Sequence, residues 1–357
     1  MKKYFILLLI LSSSPLLLKA QLKNSTELHD APVFNSLEEA LSDPLRVNRL
    51  HIIGKNWKEI PRDITKLGNL QELILDGNQI SFLPDFISQL KYLEIISITD
   101  NPNFQLETSF PLLAKCQNLK EIWLRQNKFS IIPENIDALA SLKNLELLHL
   151  GSNELSSLPN HLGKLKSLKR LEIEMNHKLN SLPASLGNLI QLTELDAENC
   201  ALQSLPKEIY QCSELIDLDI QGNQIQNLEE GISKLKKLIH LNIGGNPLKS
   251  LSPDFNQLPS LEVLDLSARL LTTFDPVTME ENDVRIMFQM NLDETLTYLS
   301  KMSVLKELIF DHCDLSELPA SISKCKHLER LELEDNRIDD SHRNLIRKYL
   351  PQTRVVY

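Results

Sequence analysis

Leucine and isoleucine recur along this chain with a period of about 23 residues. The leucine that opens each unit can be followed through Leu145, Leu168, Leu192, Leu215, Leu238 and Leu261. Within a unit the pattern is L-x-x-L-x-L-x-x-N-x-L, as in Leu215, Leu218, Ile220, Asn223 and Ile225. Self-similarity at a fixed period of 20 to 50 residues predicts an array of stacked repeats.

Each fixed position of the unit has a physical reason. The L-x-L alternation predicts a short strand with both leucines on one face. The asparagine ends this strand, and its side chain can bond backbone groups that the turn leaves unpaired. Stacking should place these side chains in a ladder: Asn78, Asn101, Asn127, Asn153, Asn176, Asn223, Asn246, Asn291 and Asn336. One unit cannot bury its leucines alone, so the units must stack into a solenoid.

The stretch "DVRIMFQMNLDETLTYLSKM", residues 283 to 302, departs from this pattern. If Ile286 and Phe288 take the L-x-L positions, Asn291 falls on the ladder, and Leu299 and Met302 continue the rhythm. We therefore predict a degenerate repeat at 283–304, one of about thirteen, preceded by a polar loop.

From Val47 to Ile338 the sequence resembles the leucine-rich-repeat family. Many units continue with Leu-Pro and I-x-x-L-x-x-L, as in Leu158-Pro159, Leu162 and Leu165, which is similar to the repeats of Ras-pathway scaffolds, plant intracellular receptors and secreted bacterial proteins. The resemblance implies an α/β solenoid: a right-handed horseshoe with a concave parallel β-sheet and a convex side of short helices, 3-10 turns and loops. It also implies recognition of a protein or peptide by the concave face.

The two ends of the chain differ from the repeats. Residues 1–20 have a basic start, an apolar run and a small residue at Ala20, which is typical of a secretory signal peptide. Residues 21–46 read as an N-terminal cap with a short helix capped by Ser36. Residues 339–357 read as a C-terminal cap helix and strand. We expect an exported protein, periplasmic or extracellular, without membrane insertion.

Composition and motifs narrow the function classes. The net charge of −10 argues against nucleic acid as a partner. The five cysteines fall on inward positions of the repeat, which favours buried free thiols, although Cys200/Cys212 and Cys313/Cys325 keep a disulfide alternative open. Neither a catalytic motif nor a compact zinc spacing occurs in the sequence. We therefore expect no enzyme activity, no cofactor and no metal.

Residues between the leucines should face outward on the concave sheet, where they form two zones. A mixed apolar and aromatic zone comprises Ile74, Ile95, Trp123, Arg125, Leu147 and His149. An acidic strip comprises Glu172, Glu174, Glu194, Asp196, Glu198, Asp217 and Asp219. The strip could be ordinary solvated surface, but adjacent acidic strands repel one another unless a partner screens them.

These zones predict a monomer that binds a protein or peptide ligand, a basic one if the acidic strip takes part. Two other functions remain open: a structural spacer of the cell envelope, or an inhibitor-like module that captures a basic protein. Calcium binding on the acidic pairs is the weakest alternative, because carboxylates on flat strands converge poorly.

Overall fold

The computed structural model describes residues 22–252, 254–268, 270–275, 280–285 and 290–357. The predicted signal peptide and the pair Ile286 and Phe288 lie outside these residues. Within the described chain, fourteen strands form one open sheet in sequence order, and two further strands form a separate hairpin. The neighbouring strands of the large sheet are parallel, so the predicted horseshoe solenoid is confirmed.

The repeat strands are three residues long and occupy the L-x-L positions of the units. The strands of the large sheet are β1 (Val33–Phe34), β2 (Arg49–His51), β3 (Glu72–Ile74), β4 (Ile95–Ser97), β5 (Glu121–Trp123), β6 (Leu147–His149), β7 (Arg170–Glu172), β8 (Glu194–Asp196), β9 (Asp217–Asp219), β10 (His240–Asn242), β11 (Val263–Asp265), β14 (Glu307–Ile309), β15 (Arg330–Glu332) and β16 (Arg354–Val356). The hairpin is formed by β12 (Leu270–Asp275) and β13 (Glu280–Arg285).

The convex side carries short helices and 3-10 turns. The helices are α1 (Ser25–His29), α2 (Leu37–Ser42), α3 (Leu106–Leu113), α4 (Leu292–Leu299) and α5 (Asp340–Tyr349), of which α1, α2 and α5 belong to the chain ends. The 3-10 turns are Pro44–Arg46, Arg62–Lys66, Asp85–Gln89, Glu134–Ser141, Asn160–Lys164, Ala184–Asn188, Lys207–Gln211, Ile232–Lys234, Phe255–Gln257 and Ala320–Lys324. The proline of the Leu-Pro pair precedes many of these turns in an extended conformation, as Pro159 does with φ −73°. Its ring fixes this angle and so sets where the convex turn begins.

The core contains a row of leucines that are aligned from one strand to the next. The register aligns Leu171, Leu195, Leu218, Leu241 and Leu264 across β7 to β11, and each is buried. Burial of one leucine side chain contributes about 1.5–3 kcal/mol. Because every leucine is covered by the neighbouring repeats, this stabilisation is available only to a stacked array.

The ladder asparagines join each turn to the turn before it. Asn153 donates from Nδ2 to the carbonyl of Leu124 (3.0 Å) in the preceding repeat and to that of Leu150 (2.8 Å) in its own. Its Oδ1 accepts from the backbone N–H of Asn127 (2.8 Å). Bonds from Nδ2 to the preceding repeat are made by Asn78, Asn101, Asn127, Asn153, Asn176, Asn223, Asn246 and Asn336.

Cysteine replaces asparagine at two ladder positions. The Sγ of Cys200 lies 3.4 Å from the carbonyl oxygen of Ile173, and that of Cys313 lies 3.6 Å from the carbonyl oxygen of Leu266. Both thiols are buried and free, as are those of Cys116, Cys212 and Cys325. Burial raises the pKa of the Cys200 thiol to about 12, so this thiol stays protonated and acts as a weak donor.

The predicted repeat at 283–304 does not contribute a strand to the sheet. Strand β11 pairs directly with β14, through Leu264 and Leu308, and Leu270–Asp275 pairs antiparallel with Glu280–Arg285 instead. Asn291 is not a ladder residue: its side chain accepts from the N–H of Glu294 and caps α4. The leucine rhythm that follows belongs to α4, which buries Leu296 and Leu299 on the convex side. Without the two cap strands, twelve repeat strands remain.

Strands and helices of the chain ends close the solenoid. At the N-terminal end β1 pairs with β2, and Ser36 caps α2 by accepting from the N–H of Glu39 (3.1 Å). At the C-terminal end α5 begins after Asp339, and β16 pairs with β15. Residues 22–31 contribute α1, which the sequence pattern did not predict.

We expect Asn153→Ala to lower the free energy of unfolding by about 3 kcal/mol, because buried backbone groups of two repeats lose their partner. Urea denaturation followed by circular dichroism would measure the change. Asn160→Ala is the matched control, since Asn160 is exposed and its replacement should cost less than about 0.5 kcal/mol. Equal losses in the two variants would contradict a stabilising role of the ladder.

Candidate functional site

The register of the sheet brings the predicted concave residues into two parallel rows. The first residues of consecutive strands align as Glu121, Leu147, Arg170, Glu194 and Asp217. The third residues align as Trp123, His149, Glu172, Asp196 and Asp219. Adjacent strands lie about 4.8 Å apart, so neighbours within a row can touch.

Five of the predicted residues form one polar group, here named the His149 cluster: Trp123, Arg125, His149, Glu172 and Glu174. The imidazole of His149 lies between two carboxylates, with Nδ1 2.6 Å from Glu172 Oε2 and Nε2 2.8 Å from Glu174 Oε1. The ring centroids of Trp123 and His149 are 5.0 Å apart. Arg125 Nη2 lies 3.3 Å from Glu174 Oε1. The cluster is therefore a network of two carboxylates, an imidazole and a guanidinium beside an indole.

A glycine between two strands makes this network possible. The carboxylate of Glu174 lies over Gly151, where a Cβ atom would come within 2.1 Å of Oε1. Any side chain at this position would push Glu174 away from His149 and Arg125. The sequence analysis did not identify Gly151, although a glycine on a concave strand end is itself a signal of close approach.

The apolar part of the predicted surface is less exposed than expected. Leu147 is fully buried rather than exposed. Its neighbours in the row, Glu121 and Arg170, approach each other across it, with 3.9 Å between Arg170 Nη2 and Glu121 Oε1. Glu121 Oε2 also accepts from Trp123 Nε1 (3.0 Å). An ion pair that spans two strand spacings covers the leucine between them, and single-strand periodicity cannot predict such a pair.

The remaining members of this zone differ in exposure. His149 and Glu174 are buried in the network, whereas Trp123 and Arg125 keep part of their surface in solvent. Ile74 and Ile95 on β3 and β4 are also partly exposed. The surface open to a partner at this end is thus aromatic and basic at Trp123 and Arg125, and apolar at the two isoleucines.

The charges of the His149 cluster set its protonation. Burial disfavours the charged imidazole, but the adjacent Glu172 and Glu174 outweigh burial and raise the pKa of His149. Burial would raise the pKa of Glu172, yet the hydrogen bond and charge of His149 lower it. Both shifts favour an imidazolium–carboxylate pair.

Further along the rows the acidic residues lack such partners. Asp196 Oδ1 accepts from the N–H of Glu198 (3.0 Å), and Asp219 Oδ1 accepts from the N–H of Gln221 (2.9 Å). Asp265 repeats the arrangement with Ser267 (2.8 Å). A short side chain can bond its own backbone two residues on, so aspartate suits these turns for structural reasons. One oxygen of each is used in this way.

The carboxylates of β8 and β9 converge more closely than the sequence analysis expected. Asp196, Glu198 and Asp219 each place one oxygen within 4.8 Å of the others. Burial, followed by the neighbouring carboxylates, raises the pKa of Asp196 to about 6 and that of Asp219 to about 7, although each also accepts backbone hydrogen bonds. On the described part of this face, these three are the residues that could hold a metal.

The two ends of the acidic strip thus differ in their chemistry. Glu172 and Glu174 are neutralised within the His149 cluster. Asp217 lies 3.3 Å from His240 Nδ1, whereas Asp196 and Asp219 are surrounded by like charges. The negative charge of this face therefore concentrates around Asp196 and Asp219. Among the described residues, no helix is long and apolar enough to cross a bilayer.

Comparisons with known proteins agree with this architecture. Family models described as leucine-rich repeats match residues 213–271 and 69–90. An internalin (InlF) from Listeria monocytogenes superposes with a TM-score of 0.59 at 17% identity, covering 88% of either chain. The structure of a TLR13–ssRNA13 complex gives 0.61 at 24% identity, covering 85% of this chain and 45% of that one. The Drosophila Toll–Spätzle complex gives 0.56 at 21% identity, covering 81% and 44%.

These features define a solenoid whose concave parallel sheet carries a polar network of paired charges and a group of converging carboxylates. The chain contains leucine-rich repeats and has the solenoid fold of leucine-rich-repeat proteins. None of the curated proteins matches its sequence significantly.

We expect the contribution of His149 to the free energy of unfolding to vary with pH. A histidine pKa that is raised on folding stabilises the folded state at pH values below the unfolded pKa, which is near 6.5. This stabilisation is lost as pH rises through the folded pKa. The lowered pKa of Glu172 stabilises the folded state above about pH 4.5, and this stabilisation is lost in acid. His149→Gln should therefore cost most between pH 4.5 and 6.5, by about 3 kcal/mol, and less at higher pH.

Urea denaturation of the two proteins across this pH range would test the expectation. His177→Gln is the control, because His177 is an exposed histidine of the neighbouring repeat. A difference between wild type and His149→Gln that does not change with pH would contradict an ionised pair.

Proposed function

We propose that this protein is a non-catalytic recognition module whose concave face binds a protein or peptide partner through basic residues. Leucine-rich-repeat folds are commonly used for protein recognition, and the chemistry of this face supports the same use here. The observation that carries the proposal is the convergence of the carboxylates of Asp196, Glu198 and Asp219, with the raised pKa values of the two aspartates.

The raised pKa values of Asp196 and Asp219 mean that ionisation of these groups opposes folding at neutral pH. Because the folded-state pKa of each carboxyl group lies above its unfolded value, the folded protein binds these protons more tightly. The free energy of unfolding therefore falls as pH rises through about 6 to 7. A lysine or arginine of a partner would relieve this cost, because an adjacent positive charge favours the carboxylate form. Groups held in such a costly state are frequent at functional sites.

The His149 cluster gives the partner a preorganised surface beside the carboxylates of Asp196 and Asp219. Its internal pairing fixes His149, Glu172 and Glu174, and leaves Trp123 and Arg125 partly exposed at the rim. Partly exposed tryptophan is enriched among residues that dominate binding energy. We expect Trp123 to supply apolar contact and the β8–β9 carboxylates to orient the partner.

A nucleic-acid ligand fits this face poorly. The TLR13 structure contains RNA, but the net charge of this chain is −10, and the β8–β9 group would repel phosphates. We further propose that the protein is exported, from the signal-peptide pattern of residues 1–20. Two alternatives remain: a structural spacer of the cell envelope, and a module that captures a basic protein. Only the spacer function predicts that no ligand binds the concave face.

A display library of random peptides, selected on the immobilised protein, would supply a probe. We expect lysine and arginine to be enriched in the selected peptides. Asp217→Lys combined with Asp219→Lys should weaken the best peptide by more than about tenfold, or 1.4 kcal/mol, mainly through slower association and with less salt dependence. Binding to the wild type should strengthen as pH rises through 6 to 7, because Asp196 and Asp219 become ionised.

Glu229→Lys combined with Glu230→Lys is the matched control, since it makes the same charge change at exposed positions outside the strands. This variant should bind within about twofold of the wild type. Selected peptides without basic residues, or equal losses in both double variants, would argue against the acidic site.

Trp123→Ala should weaken the same peptide by about 2 kcal/mol if the indole is a principal contact. It should also lower the free energy of unfolding by about 1 kcal/mol, because the ring contacts His149 and donates to Glu121. Trp57→Ala is the control, since Trp57 packs partly against the solenoid core. Trp57→Ala should lower stability without changing affinity, and the reverse pattern would show that Trp123 was assigned wrongly.

A further inference from the structure

Residues 22–31 fold back over the sheet instead of closing its end. A cap over the open end needs to contact only the first repeat. Here the segment contacts Arg49 on β2 and Gln71 beside β3, and it lines a pocket with residues of β3, β4 and β5. Its hydrogen bonds therefore reach β2 and the start of β3, and the pocket beside it extends to β5.

Polar side chains of the sheet hold the main chain of this segment. Gln71 makes a paired contact with Lys23: its Oε1 accepts from the Lys23 N–H (2.9 Å), and its Nε2 donates to the Lys23 carbonyl (2.8 Å). Arg49 Nη1 donates to the carbonyls of His29 (2.7 Å) and Ala31 (3.2 Å). Arg49 is itself held by Glu72, 3.0 Å from Nη2. Contacts of this kind read a peptide backbone and do not depend on its side chains.

One buried leucine side chain, that of Leu28, anchors the segment. Leu28 is buried but lies outside the continuous core of the solenoid. It lines a pocket of about 290 Å³ together with Ile95, between α1 and the carboxylates Glu72, Glu94 and Glu121. Part of the apolar surface that the sequence predicts on β4 thus faces a segment of the same chain.

The segment has little structure of its own. Helix α1 has five residues, and besides its few backbone hydrogen bonds its internal support is the capping box of Asn24 and Glu27. A helix this short is unstable in water, so its order depends on the contacts with the sheet. Segments with few buried apolar contacts open with low free energy.

We propose that residues 22–31 are a built-in, displaceable occupant of a peptide-binding groove over β2 to β5. The groove takes a short peptide that presents one leucine-like side chain to Ile95 and its backbone amides to Gln71 and Arg49. The tethered segment acts at an effective concentration of about 1 mM, so it blocks weaker external peptides. This inference extends the proposed recognition function to another part of the concave side.

Leu28→Glu in the full-length chain tests the proposal, because it removes the apolar anchor and leaves the groove intact. We expect amide hydrogen exchange of residues 22–31 to become at least about tenfold faster, with unchanged exchange in β6 to β9. A fluorescent synthetic peptide of residues 22–31 should bind the Leu28→Glu chain saturably and should not bind the wild type below about 1 mM. The same peptide with glutamate at position 28 should not bind.

Leu22→Glu is the matched control, since Leu22 belongs to the same segment and is 44% exposed. This variant should behave as the wild type. Faster exchange throughout the solenoid of Leu28→Glu would overturn the proposal, because the segment would then be part of the cooperative fold. Failure of that chain to bind the peptide, or equal binding to Leu22→Glu, would also overturn it. No external partner is used, so these outcomes leave the acidic site to be judged separately.

Discussion

The hydrogen bond from each ladder asparagine to the repeat before it is the interaction on which the rest of this structure depends. Asn153 uses both ends of its amide, so one side chain fixes the spacing and the rotation of two successive turns. With the turns held in register, the leucines align in one file and the concave residues align in rows. Cys200 occupies the same position with a weaker donor, so an occasional replacement is tolerated within a ladder of stronger bonds.

How far the sequence predicts this protein depends on the range of each interaction. The strand positions, the ladder and the outward residues follow from local periodicity, because each is specified within one repeat. The burial of Leu147 is not predictable in this way, since it depends on Glu121 and Arg170 two strands apart. The hairpin of residues 270–285 shows the same limit. The L-x-L pattern at Ile286 and Phe288 is compatible with a further repeat strand, but β11 pairs directly with β14.

The N-terminal segment was missed for another reason. Asn24 and Glu27 form a capping box, a signal that short-range analysis can detect. The place where α1 docks, however, is determined by Gln71 and Arg49, far away in sequence. Gln71 is fully buried and would read as an unremarkable polar residue before a strand. Only the assembled sheet shows that its amide faces the backbone of residue 23.

The three features of the concave side lie in strand order: the N-terminal segment over β2 to β5, the His149 cluster on β5 to β7, and the carboxylates of Asp196 and Asp219 on β8 and β9. From β3 to β8 is five strand spacings, or about 24 Å. An extended peptide covers about 3.3 Å per residue, so about seven residues span this distance. A single partner segment could therefore reach both the groove and the acidic group if its apolar anchor and its basic residues were separated by that length. In such a segment the apolar end would compete with Leu28 while the basic end paired with Asp196 and Asp219, and the neutral, internally paired His149 cluster would lie beneath its middle.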